Sequence, residues 1–111
     1  MRLTDLEPQF LKAMPDGSSL FVETLVEADG IKFLCPKCFS EAEPKHGFHS
    51  VICWFTGKVP ADKTPGPGRW NPSGTGYHDL TFVGPGAVSV HLSGGGCGWH
   101  GFIRNGEATL S

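Results

Sequence analysis

The chain has 111 residues, with 9 Lys and Arg against 11 Asp and Glu, for a formal net charge of -2. That balance argues against a sequence-independent grip on nucleic acid, which depends on cations that neutralise phosphates. No apolar run approaches the ~20 residues of a bilayer span, and the opening Met1–Glu7 is acidic where an export signal would be apolar, so the expected location is cytoplasmic with no membrane partner.

A hydrophobic content of 39% and a charged content of 18% describe a globular chain, expected as one domain over 1–111. With 16 Gly and 9 Pro, short strands and many turns are favoured over long helices. The expected class is therefore mainly β, a small β-rich domain with a short N-terminal helix. Residues 1–29 form a helix and strand lead-in, and 30–111 form the β core.

In chain order, Thr4 followed by Glu7 reads as a capping box that opens a helix to about Met14, with Pro8 in its first turn. Pro15-Asp16-Gly17 stops it. Ser18 or Ser19 could cap a helix over 20–26, but Phe21, Val22, Thr24 and Val26 favour a strand there. Asp29-Gly30 reads as a hairpin turn that delivers the strand Ile31–Leu34 into a cysteine turn. Residues 39–47 form a polar loop, and His49–Phe55 is a buried strand. A long Pro/Gly/Ser-rich loop covers 58–78, a length that usually has a function. Strands follow over 79–83 and 87–92, and a last hairpin, His100–Arg104 with 107–110, turns at Asn105-Gly106, a strong short-range hairpin signal.

Two metal-ligand signatures stand out, Cys35-Pro36-Lys37-Cys38 and Cys97-Gly98-Trp99-His100. Each offers two soft donors three positions apart, and together they make a Cys3His set suited to Zn2+, with Cys35, Cys38, Cys97 and His100 as ligands. Such a closed site would staple the β core, since structural zinc contributes on the order of 10–16 kcal/mol of apparent binding. Cys53 alternates with Val51 and Phe55 and reads as a small core hydrophobe; His49, on the same face, reads as a buried, hydrogen-bonded histidine. A second metal on His46 and His49 lacks an accompanying thiolate or carboxylate. A Rieske-like iron–sulfur reading of Cys97–Gly101 lacks the Cys-x-His half that such a cluster needs.

The segments Gly30–Phe39, His49–Phe55, Gly68-Arg69-Trp70, Ser73–Gly76, Asp79–Phe82 and Gly96–Glu107 resemble a small bacterial and prophage family, domain of unknown function 6527. Some of its members carry the label ammonia monooxygenase. The resemblance covers about Gly30 to Glu107 and implies a compact β-rich zinc-binding domain, with Cys35, Cys38, Cys97 and His100 at the family's Cys and His positions. It also implies an accessory role of the phage or prophage kind. The chain departs from relatives at Val83–Gly86, where they often read Ser-Pro-Ser-Ile. No cluster of His and carboxylate supports oxygen chemistry.

A closed Cys3His site leaves no coordination position for substrate, so the expected function is a non-catalytic zinc module that binds a protein partner. Arg69, Trp70, Tyr77 and His78 are the candidate contact residues, since Arg, Trp and Tyr commonly anchor interfaces. The rival is a hydrolase using an open zinc or a His78/Asp79 pair with His49, although neighbours on a strand point to opposite faces. Trp70 and Tyr77 have an equally direct reading as pins that hold the long loop onto the sheet.

Overall fold

The computed structural model describes residues 1–41, 49–60, 62–64, 68–84, 88–91 and 98–109. Nine short strands dominate the described residues: β1 Gln9–Ala13, β2 Ser19–Val22, β3 Gly30–Leu34, β4 Ser50–Trp54, β5 Asn71–Ser73, β6 Thr81–Val83, β7 Ser89–His91, β8 His100–Arg104 and β9 Glu107–Ala108. Among the described residues one α-helix, α1, covers Pro36–Glu41. The mainly β class is as expected. Strands pair antiparallel in three sheets, ordered β2-β1-β3-β4, β5-β6 and β7-β8-β9.

The N-terminal helix is far shorter than the sequence suggests. A single 3-10 turn covers Leu3–Asp5, and residues 9–13 are strand β1. Pro8 is the cause: it disfavours the right-handed helical region at the residue before it, and Glu7 sits at φ 50°. Instead of reaching back to a cap, Glu7 turns the chain into the central strand.

Strand order also corrects the expected hairpin at Asp29-Gly30. β2 and β3 do not pair, because β1 lies between them. Asp29 acts as a tie across the sheet: its N–H donates to Leu11 O at 2.7 Å, its carboxylate accepts from Ala13 N at 2.9 Å, and its carbonyl accepts from Phe55 N at 2.8 Å. At the other end, the β8–β9 hairpin forms as its Asn-Gly signal indicates. Asn105 and Gly106 both take positive φ, 50° and 73°, as a type I′ turn requires. A Cβ at Gly106 would collide with the His78 and Tyr77 carbonyls, so glycine is needed for space as well as conformation.

Alternation along the four-stranded sheet feeds two cores. Phe10, Ile31, Phe33, Val51 and Cys53 point into the main core, which they share with Leu3, Leu6, Leu80, Phe82, Val90, Trp99 and Ile103. Leu11 and Trp54 point the other way and pack with Val59. The main core thus draws on all three sheets and positions the cysteine turn at the end of β3. No helix of the described residues is long and apolar enough to cross a membrane.

Candidate metal centre

The centre is built where the β3–β4 ladder ends. Register pairs Ile31 with Cys53 and Phe33 with Val51, and residues directly opposite share a face. The ladder runs one step further, since Cys35 N donates to His49 O at 2.8 Å. Two pairs of core side chains are thereby followed on the same face by a thiol opposite an imidazole. Pro36 then opens α1, its φ preset for a first helical position, and Phe39 N closes the turn on Cys35 O at 3.0 Å. Cys38 falls three residues after Cys35, on the same side of that turn.

As a result, the donor atoms of Cys35, Cys38 and His49 all lie within 4.8 Å of one another. Two sulfurs on one zinc, each at ~2.3 Å, stand about 3.7 Å apart, so small side-chain adjustments suffice to share an ion. Both thiols are buried, at 1% and 2% exposure, and His49 is half-buried. Two sulfurs and an imidazole nitrogen are the donor chemistry that zinc selects, so the group could hold a metal ion of that kind.

This group contains two of the four expected ligands. Cys97 lies outside the described residues, as does His46. His100 is not in the group. It opens β8 on the exposed face, opposite His91, with ring centroids 5.1 Å apart, and its ring also flanks Phe102 at 6.1 Å. Its neighbour Trp99 takes the inward position, buried edge-on against Phe33 with its N–H on Thr109 O at 2.9 Å. Trp99, just before β8, is thus the residue of this segment that meets the core at Phe33. His49 is the donor that sequence spacing passed over. Its signal was the pairing register: a His at the head of a buried strand, opposite the first Cys of the turn.

Cys53 has no place in the centre. It lies wholly inside the core, where burial pushes its thiol above the ordinary range, in keeping with a small hydrophobe.

The proposed contact residues of the long loop are turned largely toward the chain itself. Arg69 binds the backbone carbonyls of Val59, Gly68 and Lys63 at 3.3, 2.7 and 2.9 Å, and also that of Pro60. Trp70 stacks on Phe82 at 5.7 Å and donates its N–H to Ser89 O. Tyr77 stacks on Phe10 at 4.3 Å and accepts that residue's N–H at 2.9 Å. His78 is exposed, at a cleft of about 230 Å3 that it shares with Arg2, Thr4, Asn105, Gly106 and Glu107.

Asp79 closes this loop. Its carboxylate accepts from Thr75 N, Gly76 N and Thr75 Oγ1, each at 2.9 Å. The amides of Thr75 and Gly76 lead in holding its carboxyl well below the usual range, at about 2. A carboxylate so engaged fastens a turn, and it is ill suited to orient His78 as a base.

No family model, curated protein or solved structure matches the chain, so the resemblance drawn from its motifs gains no support from that side.

Proposed function

We propose that the chain is a non-catalytic zinc module whose metal pins the β3–α1 turn to the head of β4, and which serves as an accessory protein by binding a protein partner. The observation that carries this reading is the convergence of Cys35, Cys38 and His49 within 4.8 Å. Burial of both thiols favours a structural role, because a catalytic zinc must keep a position open to substrate. Cys97 supplies the fourth ligand in this reading. It stands two residues before Trp99, whose ring meets Phe33 on the same face as Cys35, and a two-residue stretch spans up to ~7 Å. Cys35, Cys38, Cys97 and His49 then form a Cys3His set, with His49 in the role that spacing assigned to His100.

The zinc's contribution is to crosslink chain segments. The backbone already does the rest: β3 and β4 set the register, and the turn from Cys35 into α1 brings both thiols to one side. The phage or prophage setting rests on the motif resemblance alone. The partner surface would include the rim at His78, Arg2 and Glu107, because Arg69, Trp70 and Tyr77 are engaged within the chain.

A second reading, a zinc hydrolase, draws on the same observation, since three protein ligands are also the count in catalytic sites. The buried thiols and the engaged Asp79 weigh against it. Metal analysis on the purified protein, with and without Cys97→Ser, separates the two. The structural reading expects about one zinc per chain in the native protein and loss of zinc together with soluble fold in the variant. A variant that stays folded and keeps its zinc would favour the open site.

A further inference from the structure

The two edges of the four-stranded sheet are treated differently. The β4 edge is covered by the Trp70 segment: Phe55 bridges Trp70 in parallel, Thr56 N donates to Trp70 O at 2.8 Å, and Trp70 N donates to Trp54 O at 3.1 Å. The β2 edge is open among the described residues. It also lacks the usual safeguards, having neither Pro nor Lys within Ser19-Leu20-Phe21-Val22. Leu20 is 52% exposed and Phe21 63% exposed, so the strand shows a large apolar side chain on each face.

Which backbone groups are open follows from the hydrogen bonds of β1. Leu11 O and Ala13 N face β3 through Asp29, and Met14 N faces Ser18 O. By alternation, Leu20 and Val22 turn their amides to β1, while Ser19 and Phe21 turn theirs outward.

We propose that β2 is the seam of a symmetric dimer, pairing antiparallel with β2 of a second copy about a two-fold axis at Leu20. In this register Ser19 exchanges both backbone hydrogen bonds with Phe21 of the other copy, and the reverse, giving four bonds. The two Leu20 side chains meet on one face, and each Phe21 covers the opposite Ser19. The sheets join into one of eight strands.

Charge selects this register over its neighbours. With Leu20 opposite Leu20, Glu23 falls opposite Gly17 of the second copy. There the Lys63 ammonium is already held, 3.0 Å from Gly17 O and 5.4 Å from the Trp54 ring centroid. Trp54 shares its face with Leu11, and Leu11 is opposite Phe21. Glu23, two residues past Phe21, continues on that face. Two symmetric Glu23–Lys63 pairs therefore flank the seam, and Asp16 faces Thr24 rather than another acid. A seam of four residues per copy is small, so the dimer is expected to be weak. The inference is independent of the metal centre.

Sedimentation velocity on the full chain, from about 10 µM to about 1 mM, tests it. The expected result is a reversible monomer–dimer equilibrium that Leu20→Lys abolishes. Glu23→Lys should weaken the dimer about tenfold, and adding Lys63→Glu should restore it to within about threefold. Circular dichroism and thermal unfolding confirm that each variant is folded. A native protein that stays monomeric throughout overturns the proposal, as does a dimer indifferent to Leu20→Lys. Failure of the double reversal to restore a dimer lost in Glu23→Lys overturns the register.

Discussion

Two turns of this molecule are fastened to the same core by opposite chemistry. At one end Cys35, Cys38 and His49 gather soft donors around a point where an ion fits. At the other, residues 74–79 are held by a single carboxylate that accepts two amides and a hydroxyl, while Tyr77 caps Phe10 N. In the proposed reading the first fastening depends on a metal and fails as a unit, because buried thiols without an ion bring the chain little. The second is a set of separate hydrogen bonds, each of modest net value, and should fail piecemeal.

The largest effect that can break this contrast is removal of the proposed metal. Cys35→Ser, or a strong chelator, should cost the domain its fold, since apparent zinc binding of about 10–16 kcal/mol rivals a total stability of about 5–15. Circular dichroism on chelator titration should show a cooperative loss of structure. A chelated protein that keeps its native spectrum would mean the core stands unaided.

Cys53→Ser probes a thiol that lies outside the centre. Placing a hydroxyl in that apolar site should destabilise by about 2 kcal/mol in a urea titration, with zinc content unchanged. Zinc loss in this variant would tie Cys53 to the metal after all. Tyr77→Phe keeps the stack on Phe10 and deletes one hydrogen bond, so about 1 kcal/mol is expected with the metal again retained.

The most local effect is the pH response of Asp79. Its folded pKa of about 2 lies below the ordinary 3.8, so its contribution is present above the unfolded value and is lost as pH falls toward 2. Melting temperatures of the native protein and Asp79→Asn should therefore differ at pH 6 to 7 and converge as the solution approaches pH 2. A gap that stays constant with pH would assign the loss to geometry rather than charge.

Much of the fold was legible locally. Asn105-Gly106 announced its hairpin because only residues at ease with positive φ can occupy that turn. The β-branched and aromatic runs marked β3 and β4. What local reading could not supply was anything that depends on which strands meet. The capping pattern at Thr4 and Glu7 suggested a helix that Pro8 disallows. Asp29-Gly30 looked like a hairpin turn because β1, 16 or more residues earlier in sequence, could not be seen to enter between β2 and β3. The candidate metal centre shows the same division: C-x2-C placed Cys35 and Cys38 together from spacing alone, whereas His49 arrives by strand register.

The most direct test of the account is therefore the choice between two histidines. Zinc content is measured on His49→Ala and His100→Ala, purified side by side. The account predicts that His100→Ala keeps about one zinc per chain while His49→Ala loses it, together with much of its stability. Retention in His49→Ala with loss in His100→Ala would contradict it.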